Sequence, residues 1–98
     1  MEIKKNCWVE ISATGLVSPN SRDSYNPDGS QDRWEDYNVL PGGHCALIAQ
    51  ISPGGEPFLV GRNYRFVADR SGLLLLGIND NDTYNNNGFF FVTVKFIN

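Results

Sequence analysis

The sequence predicts an all-β domain, an antiparallel β-sandwich. Three observations carry that expectation. Apolar residues recur with a period near two, Gly, Pro and Asn turn signals punctuate the apolar runs, and no segment carries a helical stripe. With 98 residues the chain can bury one core, so residues 1–98 are read as a single domain.

The elements follow in order. In the run from Cys7 to Val17, Cys7, Val9, Ile11 and Ala13 alternate with Trp8, Glu10, Ser12 and Thr14, and Trp8 is read as a packing residue of that strand. His44 to Ile51 reads as a strand with Cys45, Leu47, Ala49 and Ile51 on one face. His44 is then expected on the opposite face from Cys45, in a structural or surface role. Tyr64, Phe66 and Ala68 alternate with Arg65 and Val67. The unbroken run Leu73 to Ile78 suits a central strand covered on both faces. Phe89 to Ile97 closes the chain, with Phe90, Val92, Val94 and Phe96 on one face and Phe89 and Phe91 on the other. That outward pair implies either a partner surface or burial under a loop. Turn signals lie between the runs at Pro27-Asp28-Gly29, Pro41-Gly42-Gly43, Pro53-Gly54-Gly55, Ser71-Gly72 and Asn87-Gly88.

Composition narrows the function classes. Charged residues are only 19% of the chain and the net charge is −3, so no basic patch is available for nucleic-acid phosphates. No apolar run approaches the length needed to insert into a membrane. The start, Met1 to Asn6, lacks the apolar stretch of a signal peptide; a soluble chain is expected, and secretion or residence in a larger protein stays open. Cys7 and Cys45 are the only cysteines, and they are read either as one disulfide or as two free thiols that behave as small hydrophobes.

Two loops stand apart. Ser18 to Gly43 is long, polar and acidic, and it carries Tyr25, Trp34 and Tyr37. These rings could stack on sugar C–H surfaces or anchor the loop. Its carboxylates Asp23, Asp28, Asp32, Glu35 and Asp36 read as a solvated acidic loop more readily than as a glycosidase pair. His44 has no recognisable nucleophile or second acid/base with it, so an enzyme is not expected. The second loop, Asn79 to Gly88, holds five Asn and two Asp in ten residues. Calcium takes six to eight oxygen ligands, and a loop pinned between two apolar strands can present them. The spacing is not that of an EF-hand, since the twelfth position from Asp80 is Phe91. A plain Asn/Asp-rich turn is the alternative. Asn81-Asp82-Thr83 also matches the short glycosylation acceptor pattern.

A set of segments resembles a known family. These are Ala46-Leu47-Ile48, Phe58-Leu59-Val60-Gly61, Ser71 to Asp80 in the form SGLLLLGIND, and Asn85-Asn86-Asn87-Gly88-Phe89-Phe90-Phe91-Val92. Their order and spacing are similar to those of the PA-IL-like (LecA-type) bacterial galactose-binding lectins, over Ile11 to Val94. The resemblance implies a β-sandwich of galactose-binding-domain or jelly-roll type and a bound calcium through which sugar is held. It places calcium ligands at Asp80, Asn85 and Asn86, with backbone carbonyls at Asp82 (or Thr83) and Pro19. The family's sugar-gripping His and Gln fall near Arg33 and Asp36, so galactose specificity does not carry over directly. The family also has a strand before the one matching Cys7 to Ala13, for which this chain begins too late.

The expected function is therefore calcium-dependent, non-catalytic glycan binding, with Asp80, Asn85, Asn86, Asp82 and Pro19 around the metal and Trp34, Tyr25, Arg33 and Asp36 toward the sugar. The alternative is an assembly domain that keeps the fold and binds another protein. In either case a homo-oligomer or a partner chain is expected.

Overall fold

The computed structural model describes residues 1–19, 23–30, 39–41, 43–80 and 87–97. Among these residues seven strands run in the order β1 (Glu2–Ile3), β2 (Trp8–Ser18), β3 (Leu47–Ser52), β4 (Phe58–Leu59), β5 (Asn63–Val67), β6 (Gly72–Ile78) and β7 (Asn87–Ile97). They form two antiparallel sheets, one ordered β1-β6-β3-β4 and the other β5-β2-β7. The fold is the β-sandwich that the period-two pattern predicts.

The longest pairing joins β2 to β7 over eleven residues, from Trp8 opposite Ile97 to Ser18 opposite Asn87. Alternation puts Val9, Ile11, Ala13 and Val17 inward from β2, all buried. Leu47, Ala49 and Ile51 face them from β3, with Leu74 from β6. Phe66, Phe90, Val92 and Val94 pack against this cluster from the second sheet. Three of the four residues assigned to the inward face of β7 from sequence thus meet the core; the fourth, Phe96, is exposed near the end of the strand.

Two readings of the strands need correction. The leucine run of β6 is paired on both edges at its start, but it is not covered on both faces: Leu73, Leu75 and Leu76 are exposed, and of the four leucines Leu74 alone is buried. A continuous apolar run is ambiguous, because it satisfies an inward face whatever happens to the outward one. A two-residue strand, β1, also precedes β2, where the chain was expected to begin too late for one; it pairs with β6 at Glu2–Leu73 and Ile3–Gly72, and Ile3 is buried.

The β2–β7 register places Ser18 beside Asn87, and the β3–β6 register places Leu47 beside Ile78. The ends of β2 and β6 and the starts of β3 and β7 therefore share one end of the sandwich. Asn79 and Asp80 after β6, Pro19 after β2, and the residues leading into β3 all lie there.

Candidate functional site

Asn79 and Asp80, the first two residues after β6, organise this end. Asn79 is completely buried. Its Oδ1 accepts the N–H groups of Val39 and Leu40 at 2.9 and 3.0 Å, and its Nδ2 donates to the carbonyls of Leu40 and Gly43, each at 3.0 Å. A carboxamide offers two donors and two acceptor lone pairs, and all four are used. Its backbone joins the same lattice, donating to Ala46 O and accepting from Cys45 N. Sequence reading counted Asn79 among the oxygen donors of a metal loop; the structure makes it the clamp that ties the end of the long loop to the sheet.

The long loop is tied a second time, at its middle. Asp28 accepts the backbone N–H of Arg62 at 2.9 Å and its Nε at 2.7 Å. The next residue, Gly29, has φ +77°, and a Cβ there would lie 2.6 Å from His44 O and 2.8 Å from Ala46 N. Only a glycine allows this close approach in the left-handed region. Asp28 is therefore an anchoring carboxylate that remains exposed to solvent, as expected of the acidic loop.

Asp80 is buried as well, and its carboxylate faces inward. Its Oδ2 lies 3.9 Å from His44 Nε2, with both side chains under 5% exposed. Cys45 completes a group of three buried side chains whose ligand atoms all lie within 4.8 Å of one another. The expectation that His44 and Cys45 point to opposite faces fails here. Residues 44 and 45 precede β3, which begins at Leu47, and Cys45 adopts φ +65°. Strand alternation does not apply to a left-handed residue, so the turn brings neighbouring side chains to one side.

Burial first, and then the negative charge of Asp80, push the Cys45 thiol up to about 12. Both cysteines are free, Cys7 being half-buried. In metal-free native protein, iodoacetamide at pH 8 should therefore alkylate one thiol, Cys7, with Cys45 reacting only after denaturation. Equal reaction of both thiols in the folded chain would contradict this assignment.

The other predicted site residues divide cleanly. Pro19 is half-buried and follows Ser18, the partner of Asn87. Tyr25 is half-buried and exchanges two backbone hydrogen bonds with Val17, of 2.8 and 3.0 Å, which places it at the same end. Asp82, Asn85 and Asn86 lie outside the described residues, as do Arg33, Trp34 and Asp36.

One feature was not read from sequence. Phe58, Tyr64 and Phe66 form a ring cluster with centroids 5.1–5.8 Å apart. With Glu56, Asp69 and Arg70 they line a groove of about 610 Å³ at the far end of the sandwich. There the Arg70 guanidinium, hydrogen-bonded to Asp69 at 3.1 Å, holds that carboxyl below its ordinary range. The alternation of Tyr64 and Phe66 was visible, but nothing local showed that Phe58 would meet them.

No protein-family model matches the sequence, and no curated protein matches it. Among solved structures the chain is similar to the N-terminal domain of EclA, described as a PllA-like lectin. That similarity has a TM-score of 0.78 at 25% identity, over 99% of this chain and 82% of the other. The fold is that of a lectin domain. The lectin-type sandwich accounts for both sheets from β1 to β7, since the alignment leaves almost none of this chain outside it. At a coarse level this agrees with the PA-IL-like resemblance drawn from the segments around β3, β6 and β7.

Proposed function

We propose that this chain is a calcium-dependent carbohydrate-binding domain without catalytic activity. The observation that carries the reading is the lectin fold, combined with a carboxylate, Asp80, at the head of the Asn/Asp-rich loop and at the same end as Pro19 and Tyr25. Asp80, Asn85 and Asn86 would supply side-chain oxygens, and Pro19 and Asp82 backbone carbonyls. Bound calcium would supply a Lewis-acidic centre able to take sugar hydroxyl oxygens beside the loop's own. This chain's own part is to hold the oxygens in place: the Asn79 clamp fixes the start of the loop, and the β2–β7 pairing fixes Asn87 at its end. Tyr25 is the described aromatic residue nearest in chain position to Pro19, and it is the candidate for stacking on the sugar ring.

The test is a glycan array probed with calcium and again with chelator. Binding to neutral saccharides is expected, with galactosides tried first, at roughly millimolar to tens of micromolar Kd. Chelator and Asp80→Ala should each abolish it. Calcium should also raise the melting temperature of the wild type by mass action, and not that of Asp80→Ala. Hits that survive chelation would refute the calcium bridge, and a blank array with calcium present would refute the carbohydrate reading.

A second reading, an assembly role, is favoured by a specific observation. Leu16, Phe89 and Phe91 form an exposed apolar patch on the outer face of the β2–β7 pair, with Leu16 opposite Phe89 and the two Phe rings 5.0 Å apart. Moreover, among the described residues β7 pairs with β2 on one edge only and stands at the border of its sheet. The two readings are compatible, because the patch lies on a sheet face and the proposed sugar site on a loop.

A further inference from the structure

We infer that His44, Cys45 and Asp80 form a site for a soft or borderline divalent transition cation, of which Zn2+ is the type, sharing only Asp80 with the proposed calcium site and resting on none of its other ligands. The three residues bring one imidazole nitrogen, one thiol sulfur and one carboxylate oxygen within 4.8 Å of one another. Nitrogen and sulfur donors disfavour calcium, which takes oxygen ligands in larger number, and favour zinc and its neighbours. Zinc bonds of about 2.0–2.3 Å in a tetrahedron imply ligand atoms roughly 3.3–3.8 Å apart. The His44 Nε2 to Asp80 Oδ2 separation is 3.9 Å and no pair exceeds 4.8 Å, so the three ligand atoms must draw together by up to about 1 Å to close on the metal.

The backbone is built to hold this geometry. Ser30 N donates to His44 O, Cys45 N donates to Asn79 O, and Asn79 N donates to Ala46 O. Residues on both sides of the triad are thus cross-linked to each other, and the positive φ of Cys45 is what turns its sulfur toward Asp80. Charge also balances. A divalent cation, one thiolate, one carboxylate and a neutral imidazole sum to zero, which suits a buried site. On binding, the S–H bond of Cys45 breaks, its proton leaves to solvent, and the sulfur electron pair forms the bond to the metal. No electron is transferred. The triad supplies three ligands and leaves a fourth position for water or another donor.

Cobalt is the probe, since Co2+ takes zinc sites and reports its ligands by absorption. The full chain, stripped with chelator and kept reduced, is titrated with Co2+. A one-to-one complex is expected, with a thiolate-to-cobalt charge-transfer band in the near ultraviolet and visible bands of tetrahedral intensity. Zn2+ should bleach them at stoichiometric amounts, whereas millimolar Ca2+, which shares only Asp80 with this site, should weaken Co2+ binding without removing the thiolate charge-transfer band. Cys45→Ser should lose the charge-transfer band, Cys7→Ser should keep it, and His44→Gln should weaken binding by at least about tenfold. Circular dichroism checks that each variant is folded; if Cys45→Ser does not fold, Cys45→Ala is read in its place. Absence of the charge-transfer band in folded wild type would overturn the proposal, as would a band that follows Cys7 instead of Cys45. The outcome is independent of sugar binding, because Cys45→Ser leaves every proposed calcium ligand in place, and a blank glycan array leaves the cobalt spectrum unaffected.

Discussion

Replacing Asn79 by Ala should destabilise the domain by about 2–4 kcal/mol, the largest effect expected of any single polar substitution at the loop end of the sandwich. The side chain makes four hydrogen bonds from a fully buried position. Alanine leaves the N–H groups of Val39 and Leu40 and the carbonyls of Leu40 and Gly43 without their partner, and each must find water or remain unsatisfied. For a domain of this size the melting temperature should fall by roughly 10–25 °C. Asn79→Asp separates the donor side from the acceptor side. The carboxylate still accepts from Val39 and Leu40 but repels the carbonyls of Leu40 and Gly43, so it should be at least as damaging at neutral pH. Its stability should partly recover in acid, where a protonated carboxyl can donate. Thermal denaturation at two pH values measures both variants. A loss under about 1 kcal/mol for Asn79→Ala would mean the clamp contributes no more than an ordinary surface bond. The clamp also bears on function, since it precedes Asp80 directly in the chain.

Phe89→Ser combined with Phe91→Ser should convert an associated form of the protein to monomer. The two rings are 63% and 66% exposed in the single chain, and they meet edge to face at 81°. Burying a Phe side chain is worth about 1.5–3 kcal/mol. If both rings are covered in the assembly, their removal should raise Kd by roughly 10²–10⁴. The fold should be hardly affected, because neither ring belongs to the core cluster formed by the inward residues of β2, β3 and β6. Sedimentation velocity over a concentration series, with melting of each species, is the measurement. A wild type that is monomeric at high concentration, or a double variant that associates as tightly, would remove the assembly reading and leave the patch as surface.

The sequence by itself determined the strands with one solvent face. Alternation marked Val9, Ile11 and Ala13 in β2 and Phe90, Val92 and Val94 in β7, and those residues meet the core. It marked the outward Phe89 and Phe91, which are exposed. The segments around Asp80 and Gly88 also carried the resemblance to a lectin family, in agreement with the fold that the solved lectin domain shares. Period two is a local property of the pleat, so it is legible wherever a regular strand separates core from solvent.

Tertiary structure alone decided the roles of residues where the backbone leaves the strand or where partners are distant in sequence. Asn79 looked like one more oxygen donor among many, and it became a clamp because Val39, Leu40 and Gly43 lie 36 to 40 positions earlier in the chain. Asp28 became an anchor through Arg62, 34 positions away. The triad of His44, Cys45 and Asp80 was hidden for a different reason. Extending the alternation of β3 back to residue 44 separates His44 from Cys45, whereas the strand starts at Leu47 and Cys45 is left-handed. A positive φ at a non-glycine residue leaves no signature in a pattern of apolar and polar letters. What brings these three side chains together is the meeting of two strand ends, and that depends on the register between β3 and β6.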